Sequence, residues 1–145
     1  MKKLNNKGFT LIELLAVIVI LAILVALAVP SVTTYLNGAR KSTYAINAKT
    51  AITAVRDDIN VKGITADTYY SLSEINSLLD TKLNRSPYGV AYSNTSYIKV
   101  TFNEEGLATY SICLTDGSNG FLETEEVNVS EETLKTNTVV ACSHS

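Results

Sequence analysis

An apolar run close to the N-terminus constrains this chain more than any other feature. The run extends from Phe9 to Val29, and Thr10 and Glu13 are the only polar residues within it. As an α-helix with a rise of about 1.5 Å per residue it would be roughly 30 Å long, which is about the thickness of the hydrocarbon core of a bilayer. The sequence therefore predicts an N-terminal helix that can span a membrane.

The residues before the run differ from a secretory signal peptide, in which a small-residue cleavage site follows a shorter apolar region. Here the small residue, Gly8, precedes the apolar run and follows Lys7. Cleavage after Gly8 would remove a basic leader and leave the apolar helix on the mature chain. Because Lys2, Lys3 and Lys7 all precede the run, the positive-inside rule predicts a cytoplasmic N-terminus, with the rest of the chain outside.

Glu13 is the one acid in the apolar run. An acid at the centre of a spanning helix costs a few kcal/mol, but the interface partly hydrates one in the first turns. Glu13 is therefore either a tolerated interfacial carboxylate or a group that needs a cation supplied by assembly. Cleavage after Gly8 would create such a cation, the α-amine of Phe9, and a neighbouring copy shifted along the helix axis could present it.

The segment from Lys7 to Pro30, KGFTLIELLAVIVILAILVALAVP, resembles the class III leader and N-terminal helix of type IV pilins. The resemblance implies that a prepilin peptidase cuts between Gly8 and Phe9 and methylates the new N-terminus. It also implies that Glu13 pairs with the N-terminal amine of an adjacent subunit. Pro30 stands where the family has a kink-forming proline, and since it removes one backbone donor we expect a bend there.

By the same resemblance, we expect an α+β fold in which a long N-terminal helix packs on a small antiparallel sheet. The implied function is that of a structural subunit of a type IV pilus, a homo-oligomeric filament used in adhesion, motility, biofilm formation or DNA uptake. The implied partners are the prepilin peptidase, an assembly ATPase and a membrane platform protein.

A pseudopilin of a type II secretion system or a competence pilin would share the first thirty residues or so. A signal-anchored monomeric surface binding protein is a further alternative, in which Gly8 and Glu13 would be incidental.

The sequence predicts three segments: a leader (1–8), a transmembrane and assembly helix (9–30) and one globular ectodomain (31–145). Loss of the three leader lysines changes the formal net charge from −2 to −5. An acidic exterior argues against general binding of nucleic acid, which needs a basic protein surface.

Helical patterning continues beyond Pro30 to about Val61, and Gly63 is a suitable stop. Apolar residues in this part follow three-and-four spacing, which predicts a buried stripe: Ala45, Ala48, Ile52, Val55 and Ile59. A second helix is predicted from Leu72 to Lys82, because Ser71 and Glu74 have capping-box spacing.

The alternation of apolar residues predicts a β-hairpin with one strand around Ile98–Phe102 and another around Tyr110–Leu114. The turn between them falls at Asn103–Gly106, and Val139 with Val140 suggests a final strand.

Cys113 and Cys142 fall on predicted strands of the exported part. An even cysteine count outside the cytoplasm is consistent with a disulfide, and the alternative is two buried free thiols. The pair resembles the C-terminal disulfide-bounded loop of many type IV pilins. A bond closing a loop of roughly thirty residues would stabilise the fold by about 3 to 4 kcal/mol in the chain-entropy model.

Acidic residues dominate the segment between the two cysteines until Lys135: Asp116, Glu123, Glu125, Glu126, Glu131 and Glu132. Such a run is usually a solvated face, and the functional alternatives are an exposed contact surface or a cation site. The stretch 116–120 lacks the glycine and the terminal glutamate of an EF-hand loop, so we do not interpret it as a calcium site.

No catalytic constellation is predicted. His144 is the only histidine, so neither a histidine-based triad nor a multi-histidine metal site can be built. A dyad of Cys142 and His144 so close to the C-terminus is implausible. We therefore expect no enzymatic activity, no metal and no cofactor.

Overall fold

The computed structural model describes residues 8–143. Most of the leader and His144 lie outside the described residues. The chain divides into two compact units, Met1–Gly38 and Ala39–Ser145. Helix α1, Leu11–Lys62, begins in the first unit and ends in the second, which confirms the predicted long helix.

The described part of the first unit is helical from Leu11 onward and has no buried side chain. In the described residues, α1 is the one helix that is long and apolar enough to cross a membrane by length and composition. Pro30 lies inside α1, and helix is assigned on both sides of it. A bend at Pro30 stays a prediction.

In the second unit, α1 contributes one buried face. The predicted stripe is confirmed, and two further residues belong to it; the buried residues are Tyr44, Ala45, Ala48, Ala51, Ile52, Val55 and Ile59. They form one core cluster with apolar residues of the sheet, among them Ile98, Val100 and Ile112. Alanines on this face permit a close approach between helix and sheet, because their side chains occupy little space.

The sheet has four antiparallel strands in sequential order: β1 Thr68–Ser71, β2 Tyr97–Phe102, β3 Ala108–Thr115 and β4 Gly120–Glu125. The predicted hairpin is confirmed as β2 and β3, with Ile98 opposite Ile112 and Val100 opposite Tyr110. In its turn, the Asn103 side chain accepts hydrogen bonds from the backbone N–H groups of Glu105 and Leu107.

Strand β4 begins at a glycine for a steric reason. A Cβ atom on Gly120 would lie 2.2 Å from the carbonyl oxygen of Leu114 on the paired strand β3. Only glycine allows the two backbones to approach so closely. The register between β3 and β4 also shifts between Ile112 and Leu114, which is where the strand pair is irregular.

The second helix, α2, spans Leu72–Leu78 and has the predicted capping box. The Ser71 backbone N–H donates to a Glu74 carboxylate oxygen at 2.8 Å, and the Glu74 backbone N–H approaches the Ser71 hydroxyl at 3.4 Å. The predicted end at Lys82 is wrong. Leu79 is extended, and the Asn76 side chain accepts a hydrogen bond from the Leu83 backbone N–H. Leu83 is buried, but it lies in irregular backbone rather than in a helix.

The predicted final strand at Val139 and Val140 is also wrong, because neither residue belongs to a strand. Val140 is buried and donates its N–H to the Gly117 carbonyl, whereas the side chain of Val139 is 91% exposed. Cys142 therefore lies outside the sheet. The last strand of the described sheet is β4, which lies within the segment between the cysteines. Neither β4 nor β1 was predicted.

Candidate functional site

The residues expected to be processed lie before the first turn of α1. Gly8, Phe9 and Thr10 are in irregular, exposed backbone, and the Phe9 side chain is 86% exposed. Space around Gly8 is open, since a Cβ atom there would meet nothing within 4 Å. The peptide bond between Gly8 and Phe9 is thus accessible in the described chain, as a cleavage site must be.

Glu13 closes a capping box with Thr10 at the start of α1. The Thr10 backbone N–H donates to a Glu13 carboxylate oxygen at 2.9 Å, and the Thr10 hydroxyl donates to the same oxygen at 2.8 Å. The Glu13 backbone N–H in turn approaches the Thr10 hydroxyl oxygen at 3.4 Å. This contact was not predicted, although the spacing of Thr10 and Glu13 is that of a capping box.

This capping box satisfies hydrogen bonds of Glu13 but does not neutralise its charge. Both donors are uncharged groups of Thr10, and no ion pair to Glu13 occurs within residues 8–143. An acid that enters an apolar environment needs a cation as well as hydrogen bonds. Within the described residues, the Glu13 carboxylate therefore has hydrogen bonds but no cationic partner.

The apolar side chains that follow Glu13 are exposed on every face of α1. From Leu11 to Val29, each large apolar side chain has about half or more of its surface accessible, and none of the most apolar window is buried. A contiguous apolar surface of this extent is not stable in water and marks a surface that enters lipid or contacts protein. A helix that is apolar all round is typical of either environment.

Around Pro30, side-chain hydroxyls bond to helix carbonyls. The Ser31 hydroxyl donates to the Ala28 carbonyl at 2.8 Å, and the Thr33 and Thr34 hydroxyls donate to the Pro30 carbonyl at 2.9 and 3.0 Å. Pro30 itself has no N–H to donate to the carbonyl one turn earlier. The three hydroxyls therefore have hydrogen-bond partners within the helix, close to the position where Pro30 removes one backbone hydrogen bond.

Cys113 and Cys142 form a disulfide with an S–S distance of 2.07 Å and a Cα–Cα distance of 5.8 Å. Both are buried, in a small cluster with Tyr97. The segment that the bond closes is anchored further by hydrogen bonds, because the Thr115 hydroxyl donates to the Val140 carbonyl at 2.8 Å and the Thr138 N–H donates to the Ser118 carbonyl. It is a packed part of the fold rather than a free loop.

The acidic residues of this segment do not form one uniform surface. Asp116 is buried, accepting hydrogen bonds from the Ser86 hydroxyl at 2.5 Å and the Asn119 backbone at 2.7 Å. Glu123 pairs with Lys99 at 3.4 Å, and Glu126 pairs with Arg56. Only part of the predicted solvated face is therefore free. Within the described residues, no group of three or more histidine, cysteine or acidic side chains could hold a metal ion.

Comparison with known proteins finds a match to one family model, at the N-terminus of the chain. Residues 3–29 match the family model of the prokaryotic N-terminal methylation motif. No curated protein and no solved structure matches the chain. Together with the long apolar helix, the motif fits a type IV pilin-like protein and indicates the pilin and pseudopilin type. It implies processing by a prepilin peptidase and assembly into a pilus, and it fits membrane anchoring followed by assembly into a surface filament.

Proposed function

We propose that this chain is a structural subunit of a type IV pilus, held in the membrane by α1 before assembly and polymerised through α1 into an extracellular filament. The observation that carries the proposal is the apolar half of α1. It is exposed on every face within its own chain and carries one uncompensated carboxylate, Glu13, in its first turn. The remaining residues, 31–145, would form the ectodomain on the filament surface.

The physical course has two stages. Before assembly, lipid covers the apolar side chains of α1, and the cytoplasmic interface hydrates Glu13 while Thr10 donates to it. During assembly the same helix exchanges lipid for the helices of neighbouring copies. Dispersion and close apolar contact hold such a bundle together, since lipid tails are as apolar as leucine and give no hydrophobic drive of their own.

Processing would supply the cation that Glu13 lacks. Cleavage between Gly8 and Phe9 creates an α-amine about one helical turn before Glu13, and that amine cannot easily reach the carboxylate of its own helix. A neighbour shifted along the axis can present its Phe9 amine to Glu13. Because breaking such a pair strands a charge in an apolar bundle, it would set the register of the helices more than their overall affinity.

Mass spectrometry of the N-terminus tests the processing step. Protein sheared from cells should begin at Phe9 with an N-methyl group, and the membrane fraction of a strain without the peptidase should retain Met1. An intact Met1 on sheared protein would contradict the proposal. Electron microscopy of the same fraction separates a pilus subunit from a pseudopilin, since only the former should give abundant long fibres.

A further inference from the structure

The second unit carries an open groove of about 740 Å³ beside α1. One wall is the face of α1 between Ile46 and Val61, and the other is the segment Leu78–Thr81 that follows α2. Ala54 and Leu79 contribute apolar lining, and the Ile46 and Val61 side chains are largely exposed at its borders. The groove is thus a mainly apolar surface that this unit itself leaves uncovered.

Carboxylates also line the groove. Asp57, Asp58 and Asp80 line the groove together with a single cation, Lys49. Asp58 already has partners, because it accepts hydrogen bonds from the Lys62 ammonium at 2.7 Å and the Tyr70 hydroxyl at 2.8 Å. The hydrogen bond from Lys62, and then that from Tyr70, hold the pKa of Asp58 below its usual range.

Asp57 and Asp80 are different. Both are exposed, and within residues 8–143 neither side chain has an ion-pair or hydrogen-bond partner. Two free carboxylates in an apolar groove favour a partner whose contact surface carries cations that can pair with them.

The same chain has such cations on α1. Within the described residues, Arg40 and Lys41 have no carboxylate at ion-pair distance, and the Arg40 guanidinium stacks over the Tyr88 ring, 5.8 Å from its centroid. Lys41 and Asp57 both belong to the second unit and to one helix. They are separated along that helix by about 24 Å and around it by about 160°.

This separation suits contact between copies. A cation and a carboxylate that point in nearly opposite directions cannot meet within one chain, but they can meet when a parallel copy lies alongside and is displaced along the helix axis. An interface that joins different patches of identical chains is heterologous, and it propagates as a helical filament when it does not close into a ring.

We propose that the groove receives the Arg40–Lys41 turn of a second copy displaced by about 24 Å along α1, with its cations facing Asp57 and Asp80. This inference rests on the proposed function, because it requires parallel copies stacked in a filament. It adds a specific contact between ectodomain surfaces to the packing of the apolar helices.

Cysteine cross-linking tests the contact directly. In the chain that carries both Lys41→Cys and Asp57→Cys, oxidised filaments should give a ladder of covalent oligomers on a non-reducing gel. The native cysteines are paired and buried, so they should not contribute. The matched control pairs Lys41→Cys with Glu105→Cys, a residue of the exposed hairpin turn, and should give monomer only. Filaments of normal yield without a ladder would overturn the inference.

Charge exchange provides an independent test. Asp57→Lys with Asp80→Lys should lower the yield of sheared filaments by about tenfold, because like charges would then face each other. Adding Arg40→Asp and Lys41→Asp should restore most of the yield. The control, Glu104→Lys with Glu105→Lys, makes the same change in net charge elsewhere and should leave the yield unaltered. Normal yield from the first variant would overturn the inference, whereas absence of filaments from the unmodified chain would overturn the proposed function and this contact with it.

Discussion

Replacing Glu13 by glutamine should abolish filament assembly while the chain still accumulates in the membrane. Glutamine keeps a carbonyl oxygen that can accept the hydrogen bonds now donated by Thr10, so the start of α1 should be preserved. The substitution removes the charge, and with it the partner of the neighbouring Phe9 amine. Insertion should not suffer, since a charged acid is the more costly of the two residues in a membrane. The measurement is the amount of chain in the sheared and membrane fractions.

A second capping box in the same chain provides the control for this substitution. Glu74 accepts hydrogen bonds from Ser71 at the start of α2 in the same arrangement, but in the second unit. Glu74→Gln should therefore leave the filament yield unchanged. If Glu13→Gln assembled as well as the unmodified chain, the carboxylate would be an incidental interfacial acid and the proposed pairing would be wrong.

Removing the disulfide should strongly lower the free energy of unfolding. The variant that carries Cys113→Ala and Cys142→Ala should lose about 3 to 4 kcal/mol of unfolding free energy, because the bond closes a loop of 29 residues. Alanine avoids the buried hydroxyl that serine would introduce between Tyr97 and the segment after Val140. Denaturant unfolding of the detergent-solubilised chain, followed by circular dichroism, gives the difference. We also expect fewer filaments, since a less stable subunit is degraded more readily.

Without the covalent bond, the hydrogen bonds of the closed segment should still favour the native arrangement. The Thr115 hydroxyl and the Gly117 carbonyl both bond to the backbone of Val140, and Gly120 pairs with Lys135. A loss below about 1 kcal/mol would mean that these contacts alone hold the segment, which would contradict the role given to the disulfide.

Local patterns predicted the elements whose periodicity is complete within the element itself. The alanine-rich stripe of α1, the capping box of α2 and the alternation in the β2–β3 hairpin were all predicted from the spacing of neighbouring residues, and the structure confirms them. Such signals suffice because they depend only on residues that are close in the sequence. The spacing of apolar residues indicates which face is buried, and a capping box indicates where a helix begins.

The elements that were missed depend on distant partners. Strand β1 has four residues and exists because it pairs with β2, and β4 is rich in acids but is held by β3 and by the close approach at Gly120. Val139 and Val140 have strand propensity without a strand to pair with, and tertiary contacts decided their conformation. The early end of α2 has a similar cause, since Asn76 binds the chain at Leu83.

For the candidate site, the sequence alone identified Gly8, Phe9 and Glu13 as residues to test. It could also have identified the Thr10 contact, because Thr10 and Glu13 have the same spacing as Ser71 and Glu74. The groove beside α1 could not have been predicted, since it depends on where Leu78–Thr81 lies after α2 ends.

A high-resolution reconstruction of sheared filaments tests the central claim most directly. The distance to measure joins a carboxylate oxygen of Glu13 to the α-amine nitrogen of Phe9 in a neighbouring subunit. We predict that the apolar helices lie at the filament centre and that this distance is within about 4 Å, the limit of an ion pair. Filaments in which α1 lies on the outer surface, or in which Glu13 contacts only its own Thr10, would contradict the proposed assembly.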